Sequence, residues 1–394
     1  MSQRENVNPR REQDHRKNSR RYQKRAAARR RRNTIFIMEI VLLLILAVVL
    51  FFVSKLSKIE KTKLDMDKIE VNEDISQESR KIMKGYQTIA MFGLDNRSNG
   101  NLSQGRSDVI MLANINNDTK EVKLVSVYRD TYLDTGDGIF QKCNAAYAKG
   151  GPEQAISMLN VNLDLNITDY VTVDFNSIIE CVDLLGGVDM EITDDEASLM
   201  TGYIRELNEL TGNMCNTANV ICKRYIRELN ELTGNKAENL TQGGTYTLNG
   251  VQACAYARIR YGGGDDYRRT ERQRTVLTAM VKKAQQSDLT TVNKLINEVC
   301  GDIQTSFSNA ELLALASQVF QYSIGDTTGF PFTKTTKVLS KKTGDVVIPC
   351  DLSDNVKELH IFLYEDSAYT ASDTVKQNSE KIVSDTGFKS GDGH

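Results

Sequence analysis

The sequence predicts an α/β domain carried behind one membrane-spanning helix. Three observations support this: short apolar strand-like runs alternate with helical patterns beyond Gly85, an apolar segment covers Thr34 to Val53, and opposite charge surpluses flank that segment. With 394 residues and 40% hydrophobic composition, the chain can bury one sizeable core or two modest ones.

The apolar segment is interrupted only by Glu39, and about 20 such residues span a bilayer. Thirteen basic residues between Arg4 and Arg32 precede it, against Glu5, Glu12 and Asp14. The positive-inside rule therefore keeps residues 1–33 cytoplasmic and places everything after Val53 outside the membrane. No small-residue cleavage site follows, so 34–53 is read as an uncleaved anchor rather than a signal peptide. Anionic lipid at the cytoplasmic face is the expected partner of the basic tail, and nucleic acid is not expected. Residues 54–84 are charged and lack Gly and Pro, which suits a partly helical extracytoplasmic stalk.

The folded domain is expected from Gly85, with its core over 85–286. Thr88 to Gly93 and Val109 to Ile115 read as buried strands, and Glu121 to Val127 as an alternating one. The turn cluster Asn116-Asn117-Asp118-Thr119 joins the latter two as a hairpin. Gly150-Gly151-Pro152 opens a helix to about Leu159, because proline suits a first turn. Tyr170 to Asp174 is a strand, a helix runs from about Asn176 to Leu185, Gly186-Gly187 stops it, and Val188 to Ile192 resumes a strand. Tyr203 to Asn213 and Tyr225 to Asn235 repeat the string Y-I-R-E-L-N-E-L-T-G-N, read as a tandem duplication in a surface insertion (203–235), since one repeat cannot build a solenoid.

Composition narrows the chemistry. The histidines are His15, His360 and His394 only, so triads and His-rich zinc sites have almost nothing to work with, and His360 is read as structural. The seven cysteines are odd in number and lack C-x-x-C spacing. A Cys300–Cys350 or Cys215–Cys222 bridge stays open for an oxidising exterior, whereas Cys181 and Cys254 read as core residues. Carboxylates, arginines or a hard metal must do the work.

Two charged clusters supply them. The first runs through Asp95, Arg97, Arg106, Asp108, Arg129 and Asp130, each beside a strand end, where Asp95 and Asp108 suit a divalent ion. The second holds Arg258 and Arg260, alternating on what reads as an extended segment, then a glycine loop and a helix from Asp266. On that helix Arg269, Arg272 and Gln273 are neighbours. Arginines in a first turn oppose the helix dipole, and a bound phosphate would offset that cost.

The ordered strings G-L-D-N-R, G-R-S-D-V-I-M-L, L-V-S-V-Y-R-D-T-Y, K-C-N-A-A-Y-A-K-G-G, L-L-G-G-V-D-M and L-N-G-V-Q-A-C-A-Y-A-R-I-R with D-D-Y-R-R-T-E-R-Q-R resemble those of the LytR-CpsA-Psr family over about Tyr86 to Lys283. The resemblance implies a three-layer α/β/α domain with a central mixed sheet, whose apolar cavity holds a polyprenyl chain with arginines at the mouth. It implies a phosphotransferase that moves a phospho-glycan from a polyprenyl-pyrophosphate carrier to peptidoglycan and releases polyprenyl phosphate. By position it assigns Arg129, Arg258 and Asp266 to catalysis. Arg106, Arg129, Arg258, Arg260, Arg269, Arg272 and Gln273 fall to the pyrophosphate, and Asp95 and Asp108 to Mg2+ or Mn2+. The glycan is expected to be teichoic acid, capsule or another wall polymer. The alternatives are a regulator or scaffold that binds the lipid-linked glycan without transfer, and a pyrophosphatase.

Two departures stand out: Cys143 replaces a usual aliphatic residue, and the duplication lengthens a variable region that would border the acceptor. Residues 287–394 are expected to pack on the core, through Asn355 to His360 and an amphipathic stretch near Thr374 to Val383, and to end in a flexible tail.

Overall fold

Alternation along the chain does translate into a central sheet with helices on both faces. In this computed structural model the described residues are 60–61, 64–94, 102, 105–201, 237–238, 240, 242–259, 266–288, 291, 294–295 and 303–394. They fall within the unit Leu56–His394. The expected tail (1–33), anchor (34–53) and duplicated strings (203–235) lie outside them. Among the described residues no helix is long and apolar enough to cross a membrane.

The strands in chain order are β1 (Glu60–Lys61), β2 (Tyr86–Leu94), β3 (Ser107–Asn116), β4 (Glu121–Val127), β5 (Tyr132–Asp134), β6 (Phe140–Lys142), β7 (Asp169–Asp174), β8 (Val188–Ile192), β9 (Gly244–Leu248), β10 (Ile303–Thr305), β11 (Ser323–Phe330), β12 (Lys334–Ser340) and β13 (Gly344–Pro349). The helices are α1 (Gln77–Met83), α2 (Ala145–Leu163), α3 (Phe175–Leu184), α4 (Asp194–Thr201), α5 (Gly250–Arg258), α6 (Asp266–Gln286), α7 (Asn309–Ser317), α8 (Leu352–Tyr364) and α9 (Asp373–Thr386).

The main sheet has the order β1-β10-β7-β2-β3-β4-β11. It is mixed: β2–β3 and β3–β4 are antiparallel, while β2–β7 and β4–β11 are parallel. Period-two alternation sorts its side chains. Ala90, Phe92, Leu94, Ile110, Leu112, Val125 and Val127 join the main core with Tyr147, Ile156 and Leu159 of α2 and Leu359 and Leu363 of α8. On the opposite face Ile89, Met111, Ala113, Ile115 and Leu124 meet Leu277 of α6 and Leu312 and Leu315 of α7, and there Met91, Val109 and Val171 are only partly buried. Among the described residues α6 and α7 cover this second face.

Several sequence expectations shift in detail. α2 holds two helical stretches: one from Ala145 that the sequence does not predict, and one that opens at Gly150-Gly151-Pro152 as predicted and runs on to Leu163. It kinks at Gly150 and Gly151, just before Pro152, whose missing N–H cannot continue the ladder. The strand Val188–Ile192 forms, but it pairs with β9 in a separate ribbon. That ribbon, with α3, α4 and α5, encloses a satellite core of Val182, Val188, Ile192, Val251 and Cys254.

Residues from Leu64 on, placed in the stalk by the sequence, fold against the domain and contribute Ile69, Ile75 and Met83 to the main core. Residues after α9 also pack: Lys334 and His394 exchange backbone hydrogen bonds of 3.2 and 3.1 Å, where the sequence suggests a flexible tail. Cys143, Cys181 and Cys350 are free thiols, so the bridge left open for Cys350 is not formed; Cys215, Cys222 and Cys300 lie outside the described residues.

His360 is structural, as expected. It is fully buried, stacked on Tyr369 at 3.7 Å between ring centroids, and bonded through Nε2 to the Leu163 carbonyl at 3.0 Å. Nδ1 is buried without a partner among the described residues. Burial pushes its pKa below the ordinary value, against the opposing pull of the Leu163 carbonyl, Asp164 and Asp366. The folded state therefore binds fewer protons than the unfolded state as pH falls below about 6.5, and stability drops there. Urea midpoints measured from pH 7.5 to 5.5 should fall with acidification, and His360→Gln should flatten that slope; an unchanged slope in the variant would remove His360 as the cause.

Candidate active site

The charged residues gather at one edge of the main sheet because its strand ends converge there. β2 ends at Leu94, which pairs with Ser107 at the start of β3. The end of β4 lies alongside and leads into Tyr128, Arg129 and Asp130. From the other side the first turns of α6 reach the same edge. Arg269 Nη2 donates to the Asp108 carbonyl at 3.3 Å, and Arg269 Nη1 lies 3.4 Å from Asp266 Oδ1.

Arg129 is the hub. Its Nη1 donates to Asp108 Oδ1 at 2.8 Å, and its Nε lies 3.9 Å from Asp130 Oδ2. The side chain is 17% exposed, and its buried Nε has no hydrogen-bond partner among the described residues. Burial alone would lower its pKa, but Asp108, Asp130 and Asp266 overcome that and hold it above the ordinary guanidinium value. It stays cationic. Beneath it Cys143 Sγ contacts the Tyr128 and Arg129 carbonyls at 3.3 Å, and burial drives the thiol pKa upward, so this departure supports the loop without supplying a thiolate.

A cleft of roughly 210 Å³ opens beside Arg129, lined by Arg106, Asp108, Asp130, Lys142 and Lys342 among others. Lys142 pairs with Asp130 at 3.1 Å. Arg106 and Lys342 have no carboxylate partner among the described residues, so the cleft carries surplus positive charge. Asp130 belongs to the first charged cluster of the sequence without a role assigned to it, and Lys142 and Lys342 are not singled out there. Lys142 opens the quoted string K-C-N-A-A-Y-A-K-G-G, whereas Lys342 looks like any solvated turn lysine.

The structure thus unites Arg106, Asp108, Arg129, Asp266 and Arg269. It places Arg272 differently: Nε pairs with Glu196 Oε1 at 3.1 Å, Nη1 donates to the Ile259 carbonyl at 3.3 Å, and the guanidinium lies over Tyr256 at 6.0 Å. Arg272 therefore ties α6 to α4 and α5. Gln273 is half-buried, with Oε1 unpartnered among the described residues. Arg258 is the last residue of α5, which corrects the extended reading. Asn249 and Gln252 form a capping box that starts this helix, and Gly250 is required because a Cβ there would lie 2.2 Å from the Ile179 carbonyl. Asp95 and Arg260 lie outside the described residues.

The donor set can be tested against the implied metal. Among the described residues no group of three His, Cys, Asp or Glu could hold an ion. Asp108 spends Oδ1 on Arg129, and its second oxygen has no protein partner among the described residues. One or two carboxylates with water and phosphate oxygens suffice for magnesium, so an Asp108-based site fits that ion and not one needing a full protein cage.

The chain is a mixed α/β fold that carries an arginine–carboxylate cleft at one edge of its main sheet. The LytR_cpsA_psr family model matches residues 46–337, and the chain belongs to that family. Polyisoprenyl-teichoic acid–peptidoglycan teichoic acid transferase TagU of Enterococcus faecalis is 27% identical over 58% of this chain and 64% of its own. Biofilm regulatory protein A of Streptococcus mutans is 29% identical over 56% of this chain and 49% of its own. The chain thus spans about half to just under two thirds of these relatives' lengths. The crystal structure of protein gbs0355 from Streptococcus agalactiae shares the fold, with a TM-score of 0.57 and 22% identity over 77% of this chain and 94% of that one.

Proposed function

We propose that this chain is a membrane-anchored, extracytoplasmic phosphotransferase. It takes a phospho-glycan from a polyprenyl-pyrophosphate carrier and joins it to a peptidoglycan hydroxyl. The observation that carries the reading is Arg129: a half-buried guanidinium whose Nε makes no hydrogen bond among the described residues, in a cleft with surplus cations. Such a group asks for an anion with several acceptor oxygens, as a pyrophosphate has. The partly buried Met91, Val109 and Val171 on the adjoining sheet face supply an apolar surface for the prenyl chain. The E. faecalis relative's name supports the same reaction class.

In this reaction the acceptor oxygen attacks the phosphorus that bears the glycan. The bond from that phosphorus to the bridging oxygen breaks, polyprenyl phosphate leaves, and the hydroxyl proton is lost. Arg129 stabilises charge developing on the non-bridging oxygens, and Arg106 and Arg269 hold the pyrophosphate in line. Asp108 and Asp266 keep Arg129 cationic and oriented. Arg258, Arg260, Arg272 and Gln273 complete the surroundings. A magnesium or manganese ion on Asp95 and Asp108 would neutralise pyrophosphate charge. The anchor at 34–53 and the basic tail at the cytoplasmic lipid face would keep the site at the outer membrane surface, where carrier and acceptor meet.

The test uses the region from Ser54 with magnesium, a polyprenyl-pyrophosphate-linked oligosaccharide and peptidoglycan fragments, following polyprenyl phosphate release and glycan attachment. Coupled release and attachment is the expected result. Release alone would identify a pyrophosphatase, and binding without release a scaffold.

A further inference from the structure

Tyr128, the residue before Arg129, is held from several sides. Its N–H donates to the Phe330 carbonyl at the end of β11 at 3.0 Å, and its carbonyl accepts from the Thr131 hydroxyl at 2.6 Å. Its phenol end lies against β11 where residue 329 is glycine, and a Cβ there would stand 2.2 Å from the phenol oxygen. From α6 the Tyr267 ring packs edge-on against it, with 4.6 Å between centroids and 62° between planes. From β12 the Lys334 ammonium sits 4.7 Å from the Tyr267 centroid and 5.5 Å from that of Tyr128. Lys334 is half-buried and donates to the Phe332 carbonyl at 3.2 Å, and its charge meets the two rings.

The position of this aromatic pair in the site gives it a use. Tyr128 leads into Arg129, and Tyr267 stands between Asp266 and Arg269 in the first turn of α6. Arg269 reaches the Asp108 carbonyl at 3.3 Å, and Asp266 acts electrostatically on Arg129. Those polar contacts cross from α6 to the strand ends, but long flexible side chains make them. Two rings in contact set the spacing of the two backbones more closely. The Tyr267 hydroxyl is buried without a hydrogen-bond partner among the described residues, and burial pushes its pKa up to about 12, so it stays a neutral phenol. The structure gives the ring a contact and the hydroxyl none.

We propose that Tyr267, packed on Tyr128, is a positioning residue that sets the first turn of α6 against the loop carrying Arg129 and so places Arg269 for the pyrophosphate. The inference rests on the transferase reading above and adds a part to the same site. A misplacement of about 1 Å costs on the order of 10²-fold, so a side chain that touches no substrate atom has a large effect here.

The experiment uses full-length protein in detergent and reads kcat/KM for transfer beside a urea midpoint for each variant. Tyr267→Phe keeps the ring and should stay within about twofold of wild type, whereas Tyr267→Ala should lose about 30-fold. In an Arg269→Ala background the same alanine change should cost less than about threefold, because the group it places is gone. Losses that multiply would overturn the placement of Arg269. An inactive Tyr267→Phe would overturn positioning altogether and make the hydroxyl an acid or a phosphate ligand. Tyr267→Leu keeps apolar volume and should show the same coupling at smaller size, which carries the test if the alanine variant does not fold. Calorimetric titration with magnesium pyrophosphate separates this inference from the transferase reading. Weaker binding in Tyr267→Ala, with Tyr267→Phe like wild type, upholds the placement even if no transfer occurs. Equal binding by wild type and both variants rejects it even if transfer is found.

Discussion

Arg129→Ala is expected to lower glycan transfer about 10³-fold while the domain stays folded. One donor aimed at developing charge is worth about 10² to 10³ in kcat, and Arg129 does more than donate. It lies between Asp108 at 2.8 Å and Asp130 at 3.9 Å, and Asp266 also acts on it electrostatically. Removing it leaves carboxylates facing a pyrophosphate, so repulsion adds to the lost stabilisation. Arg129→Lys should recover little, because an ammonium cannot engage Asp108 and still direct a second fixed N–H at the substrate. Asp108 is 25% exposed, so solvent can take up its charge when the guanidinium goes, and folding should survive. The check is the initial rate of polyprenyl phosphate release, beside circular dichroism and a urea transition. Transfer within about tenfold of wild type would remove Arg129 from the centre of the mechanism.

The parts of this site legible in the sequence are those fixed by local pattern. Alternation in β2, β3 and β4 and the amphipathic run of α6 suffice to put Asp108, Arg129 and Arg269 at the ends of strands and the start of a helix, where a shared edge can collect them. The helical state of Arg258 is not legible from its own surroundings, because Arg258 and Arg260 fit a two-residue period while the helix is set by the Asn249–Gln252 capping box upstream. What stays hidden depends on distant partners. The Arg272–Glu196 pair joins residues 76 apart, so no local pattern shows that Arg272 also ties α6 to α4. Lys342 reaches the cleft only through the docking of Val347 on Asp130. Burial of Ile69, Ile75 and Met83 likewise depends on α2 and the C-terminal helices; on their own, residues 64–84 read as a charged stalk.

Asp164→Ala should cost the fold about 3–5 kcal/mol, the largest single-residue stability loss expected outside the apolar core. Asp164 ends α2 in a left-handed conformation (φ 51°, ψ 43°) and is fully buried. Its Oδ1 accepts from Asn72 Nδ2 at 2.5 Å, and its Oδ2 accepts from the Ser372 N–H at 2.8 Å and from the Tyr369 hydroxyl. One carboxylate therefore ties the segment before α1 and the N-cap of α9 to the end of α2. Burial first, then Asp164 itself, drives the Tyr369 pKa upward, so the phenol stays protonated and remains a donor. Alanine would strand the Ser372 N–H and the Tyr369 hydroxyl in the interior, leave Asn72 Nδ2 only the Val161 carbonyl and Ser372 Oγ, and place a non-glycine residue lacking a local hydrogen-bonding side chain at positive φ, at about 1 kcal/mol more. Asparagine keeps one acceptor and tolerates that backbone, so Asp164→Asn should lose roughly half as much. Urea unfolding gives the magnitudes, and amide exchange gives the location: protection should fall together in α9 and around Asn72. A loss below about 1 kcal/mol for the alanine variant, or exchange confined to one of those segments, would show that the carboxylate does not couple them.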